Sequence, residues 1–261
     1  AGYDYRRKRS EDWTWEEDGS PYPQPEDMDV SGIRIGYQQI VDEFLVLRGY
    51  RAWRAQEDVA LGPNWDAGLT VSLPALGGDK VRYLLDSNVA ATRRRGSWLL
   101  LGEAWTMGRV DSDRLRDAII GGQVAATQLG DRGWQARLLV EGSYELDSDR
   151  QLTLGADIGL RGWDPDYFDG TGRALANLQW RTKLVDDVLH LFSLGMVVFA
   201  DAGYTWDPRV GPGMDRVHAD VGIGLVADMT HIGLVKLLRL EVAVPDDGSG
   251  YTFTITTRPL F

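Results

Sequence analysis

The feature that most constrains this chain is alternation. From Ser31 onward apolar residues recur at every second position, for six or seven positions in the later segments. A period of two puts those side chains on one face of an extended strand and their neighbours on the other. Candidate strands occupy 31–47, 62–74, 80–94, 96–109, 116–129, 132–146, 151–161, 173–185, 190–204, 216–229, 232–244 and 250–261. Turn-like patches such as Gly77-Gly78-Asp79, Asp147-Ser148-Asp149 and Asp246-Asp247-Gly248 separate them. The stretch 37–47 also fits a helical period.

In the last segment Tyr251, Phe253, Ile255, Pro259 and Phe261 share one face with Thr257, opposite Thr252, Thr254, Thr256 and Arg258. The segment before it groups Leu238, Leu240, Val242 and Val244 against Arg239 and Glu241. Segment 216–229 sets Val221, Ile223 and Leu225 against His218, Asp220 and Asp228, and segment 190–206 sets Met196, Val198 and Ala200 against Asp201.

Two architectures alternate in this way. A soluble sandwich turns its apolar face to a core, and a membrane barrel turns it to lipid. Three details favour the barrel. The segments run to about 10 residues or more, long enough to cross a bilayer when tilted. Aromatics sit near segment ends, as Trp134, Tyr144, Tyr204 and Trp206 do, and the opposite face is small or polar rather than a second apolar layer. Closure would follow from the lipid, where an unsatisfied backbone edge costs several kcal/mol per group. No run of about 18 apolar residues is present for a spanning helix, and the opening AGYDY carries no signal-peptide pattern. Glycine, at 31 of 261 residues, exceeds the usual ~7% without a collagen repeat.

Residues 1–30 are polar, with a basic cluster from Arg6 to Arg9 and then an acidic, proline-bearing stretch. They read as a solvated loop, with a rim touching lipid headgroups or surface sugars as the sharper alternative; 1–9 is a weak strand candidate.

Several motifs then occur in order: LRGWDPDYFDG at 160–170, ANLQWR at 176–181, FADAGYTW at 199–206, DVGIGLVAD at 220–228, LLRLEVAVPDD at 237–247 and GYTFTITTRPLF at 250–261. This ordered set resembles the carboxy-terminal barrel of the Omp85 superfamily, also called bacterial surface antigen or D15-type proteins, over approximately 151–261. The resemblance implies an all-β fold, a transmembrane antiparallel β-barrel of sixteen strands when complete. About twelve or thirteen strands are represented in 1–261, so the first few strands and the upstream periplasmic domains are expected to be missing. It implies that 160–172 is a lumenal loop whose tip is Arg161, Gly162 and Trp163. Arg161 is expected to meet Asp201 and the region of Gln179 and Arg181 on the lumenal face. Many relatives carry Glu where Gln179 falls, which removes one ionic partner. Tyr251, Phe253, Ile255 and Phe261 are expected to form the terminal strand signal. Arg48-Gly49-Tyr50 repeats the triplet without its companions and reads as coincidence.

Chemistry is poorly represented. Without cysteine there is no thiolate nucleophile or thiolate metal site, and no nucleophile elbow or phosphate loop occurs. Asp164, Asp166, Asp169 and Asp201 suggest a cation site but do not match a calcium loop, and His190, His218 and His231 lack ligand spacing. The expectation is therefore a non-enzyme without metal or cofactor. The net charge of -11 argues against a general nucleic-acid binder. By resemblance, the expected role is insertion or assembly of β-barrel polypeptides in the bacterial outer membrane through a lateral seam. The alternatives are a polypeptide secretion pore, or an anchor for an enzymatic or binding domain. Expected partners are outer-membrane lipids and lipopolysaccharide, unfolded barrel or exported polypeptides, and periplasmic chaperones or accessory subunits.

Overall fold

A computed structural model describes residues 2–8, 27–54, 56–111, 114–147, 150–189, 191–207, 216–229 and 237–257. Along the chain the strands are β1 (Gly2–Lys8), β2 (Met28–Gln39), β3 (Phe44–Arg48), β4 (Gln56–Ala60), β5 (Gly62–Ser72), β6 (Arg82–Arg95), β7 (Trp98–Asp111) and β8 (Arg114–Gln128). They continue as β9 (Arg132–Tyr144), β10 (Leu152–Leu154), β11 (Phe168–Gly170), β12 (Gly172–Val188), β13 (Phe192–Trp206), β14 (His218–Met229), β15 (Leu237–Pro245) and β16 (Thr252–Thr256). Twelve of them form one antiparallel sheet in the order β1-β2-β5-β6-β7-β8-β9-β12-β13-β14-β15-β16, while β3-β4 and β10-β11 are separate two-stranded ribbons. Among the described residues, β1 and β16 each pair on one side only, so the sheet is not closed.

The sheet is strongly curled. Lys8 on β1 bonds Asp147, just after β9, at 3.1 Å, although five strands lie between β1 and β9 in the sheet. The alternation decides which face is enclosed. Thr70, Arg82, Arg109, Asn177, Gln179, Asp201, Asp228 and Glu241 are buried, whereas Ile35, Leu85, Leu138, Leu178, Ile223, Val242 and Phe253 are exposed. The molecule is thus apolar outside and polar within. Enclosed polar groups satisfy each other, as in the chain from Asn88 through Glu103 to Gln123 and the double bond from Arg34 to Asp86. Aromatics on the outer face gather toward two rims: Tyr83, Tyr144 and Tyr204 at one, Trp98, Trp134 and Trp180 at the other. The second carries the short connections 96–97, 129–131 and 189–191 and is called the turn rim; the first, with 73–81 and 145–171, is the loop rim.

Two candidate strands are corrected. Segment 31–47 is not one strand: β2 ends at Gln39, and Phe44–Arg48 belongs to the β3-β4 ribbon. Segment 151–161 contributes three paired residues and then turns, because Gly155 accepts backbone N–H bonds from Ile158, Gly159 and Leu160. The weak candidate 1–9 is a full partner of β2 over Gly2–Lys8. Arg9, Phe261 and most of 1–30 outside β1 lie outside the described residues, as do His190 and His231.

Candidate functional site

Two segments fold from opposite rims onto the enclosed face. The first joins β9 to β12 from the loop rim. Its base is held by Asp147, which takes both oxygens to Arg109 at 2.7 and 2.8 Å. Burial alone would raise the Asp147 carboxyl, but the hydrogen bonds from Arg109 and Lys8 outweigh it and hold it at about 2. Beyond the base, β10 pairs with β11. Leu154 and Leu160 pack with Trp163 against Leu139 and Leu175, inward residues of β9 and β12. This patch fixes the position of the next three residues.

Arg161 is the centre of the arrangement. Its Nε and Nη2 donate to the two oxygens of Asp201 at 2.7 and 2.9 Å, and its Nη1 donates to Gln179 at 3.0 Å and Glu241 at 3.3 Å. The guanidinium also stacks over Phe199, 3.4 Å from the ring centroid. Parallel bonds of this kind are directional and charge-assisted, and arginine's planar fork suits stacking. Gly162 donates its N–H to Asp220 at 2.8 Å and accepts from Thr252 of β16 at 2.8 Å. A Cβ on Gly162 would lie 2.5 Å from that of Asp220, so only glycine permits this approach. Trp163 is buried beside Phe168, Tyr167 and His218, with ring centroids 4.8 to 5.2 Å apart. The loop tip therefore bridges β12, β13, β14, β15 and β16 in one hydrogen-bonded cluster.

Arg181 does not join that cluster. It serves the second inward segment, the β3-β4 ribbon, which enters from the turn rim. Its guanidinium donates to the carbonyls of Gly49 and, at 3.4 Å, Arg51. The backbone N–H of Arg54 donates to Asp228 of β14 at 2.6 Å. Trp53 packs with Val197, Phe199, Val226 and Leu237 and lies so close over Gly195 that a Cβ there would come within 2.0 Å of its ring. The triplet Arg48-Gly49-Tyr50 lies in this anchored inward segment, with the Gly49 carbonyl as acceptor and Tyr50 buried.

Gln179 links neighbouring groups. Its carbonyl accepts from both Arg161 and Arg239, while its amide donates to Gln135 at 2.7 Å. Glu241, Asp220, Asn177 and Thr252 extend the cluster beyond the residues that motif order points to, and Asp220 and Glu241 lie on the polar parity of their strands. That parity was the available signal. Tyr251, Phe253 and Ile255 share the exposed outer face and take no part in the cluster. Among the described residues no three histidine, aspartate or glutamate side chains converge as a possible metal site. Asp166 instead bonds Thr153 at 2.6 Å.

The arrangement can brace the interior: one segment inserts a cation among wall carboxylates, and the other offers carbonyls to a wall cation. Comparison with protein-family models, curated proteins and solved structures finds no match for this chain.

Proposed function

We propose that this sheet is the wall of an Omp85-type transmembrane β-barrel in a bacterial outer membrane, and that it acts in the insertion or assembly of β-barrel polypeptides. The observation that carries the membrane reading is the inverted distribution of polarity. A continuous apolar outer face opposite buried arginines and carboxylates suits lipid outside and a polar lumen inside. The rims supply a second measure. Trp134 and Tyr144 on β9 are ten residues apart on the exposed face. At ~3.4 Å per residue and a tilt near ~40°, that spacing rises about 26 Å, close to the ~25 Å apolar band of such barrels.

The family reading rests on Arg161 meeting Asp201 from an inward loop. The assembly role draws on β16, whose one strand neighbour among the described residues is β15, so that its other edge faces an incoming strand that could add by β-augmentation. A secretion pore would require both inward segments to leave the lumen, which favours the edge over the lumen as the working route. Outer-membrane lipids, unfolded barrel polypeptides and periplasmic accessory proteins are the partners this role needs.

The test is reconstitution in liposomes with an unfolded barrel protein and a photoreactive residue at Thr254. Insertion faster than in protein-free liposomes, with cross-links from position 254 to the substrate, is the expected result. Unchanged insertion rates would remove the assembly reading. A chain that stays monodisperse in water without detergent would remove the membrane reading itself.

A further inference from the structure

Resting on the membrane reading, we infer that the outer face of β6 to β9 holds a bound phospholipid with an anionic headgroup at the turn rim. An open groove of about 540 Å³ runs across these strands. Cross-strand pairing aligns its floor: Ala91 faces Gly102, and Ala126 faces Ala136. Leu100 stands on one side, with the paired Val124 and Leu138 on the other. The floor residues leave room that the wall residues would otherwise fill. A Cβ built on Gly102 meets no atom within 4 Å, so this space is not taken up by the protein's own packing.

Charge specifies the occupant. Arg93 lines the groove toward the turn rim, and Arg95 follows it on the same exposed face of β6. Neither arginine forms an ion pair among the described residues, whereas Arg6, Arg7, Arg34 and Arg54 all pair with carboxylates. Arg95 lies directly across from Trp98, and Trp134 is exposed on β9 at the same rim. A hydrocarbon groove ending in two guanidiniums that form no ion pair among the described residues, one of them across from Trp98, complements an acyl chain and its phosphate. The arginine stems lie along apolar surface while their heads reach the interface. Short turns mark the periplasmic side of such barrels, so the lipid would come from that leaflet.

Native mass spectrometry of the detergent-solubilised chain, titrated with phosphatidylglycerol or phosphatidylcholine, tests this. The expected result is one retained phosphatidylglycerol with at least tenfold preference over phosphatidylcholine. Arg93→Gln with Arg95→Gln should reduce retention to the phosphatidylcholine level. Gly102→Leu, whose Cβ would meet no protein atom within 4 Å and whose side chain would occupy the groove, should reduce it at least fivefold while heat-modifiable folding persists. Equal retention of the two lipids overturns the inference, and so does wild-type retention by either variant. A protein that never enters micelles fails the membrane reading instead.

Discussion

The two inward segments reach the same polar interior with opposite chemistry. The β9-β12 segment carries a cation, Arg161, to carboxylates on the wall. The β3-β4 segment presents backbone carbonyls to Arg181, a cation on the wall. Each is also seated on an apolar patch, Leu154, Leu160 and Trp163 in one case and Ala52 and Trp53 in the other. The difference matters energetically. Removing the cation from the first leaves charged oxygens buried, which costs far more than the pair itself contributes. Removing it from the second leaves neutral carbonyls, a smaller penalty. The loop is therefore expected to be the tighter latch and the ribbon the looser one.

The largest expected effect follows from that ranking. Arg161→Ala should lower unfolding stability in detergent by roughly 3–5 kcal/mol, as for other broken buried pairs. In a cycle with Asp201→Asn the two changes should couple, and strict additivity would dissolve the latch. Next, Arg181→Met should cost about 1–3 kcal/mol and act locally. Chymotrypsin would then cut at Tyr50 and Trp53, buried in the native ribbon, while Trp163 in the loop stays protected. Equal exposure of both segments would show that they are one unit.

Acid tests the base of the loop. The Asp147 carboxyl is held at about 2, below its ordinary 3.8. Its contribution is therefore complete above pH ~4 and is lost as pH falls from there through about 2. Hydrogen exchange around 144–147 should rise over that window, and Asp147→Asn should abolish that part of the response. The smallest effect is expected for Gln179→Glu, within about 1 kcal/mol. A carboxylate would gain attraction to Arg161 and Arg239 but lose the amide bond to Gln135. A large change of either sign would mean that the neutral amide is tuned to its place.

How much of this could be read in advance differs by segment. Arg161, Asp201 and Gln179 were brought together by motif order and strand parity, because Asp201 and Gln179 occupy the face opposite Val198 and Leu178. The same parity marks Asp220, Arg239 and Glu241 as sharing the polar face without naming their partner, since facing the interior does not say what crosses it. For the same reason the expected Gln179–Arg181 region divides: Gln179 meets Arg161, whereas Arg181 meets the β3-β4 segment. The β3-β4 ribbon was hidden because FLVLR reads equally as the end of a longer strand. Segment 151–161 alternates like its neighbours, yet Gly155 turns it inward. Val197, Phe199 and Val226 are apolar on the enclosed face. That departure from alternation marks where Trp53 docks, and a local pattern carries no address for a residue about 140 to 170 positions away.

The sequence by itself determined an alternating, all-β chain with one apolar and one polar face, because period two is a property of neighbouring residues. Only the tertiary structure decided that the polar face is the enclosed one, that the sheet curls until Lys8 meets Asp147, and that two segments enter from opposite rims. Those outcomes depend on pairing between residues far apart in the chain. Their stability comes from buried charges and carbonyls finding one another, and no local periodicity encodes that matching.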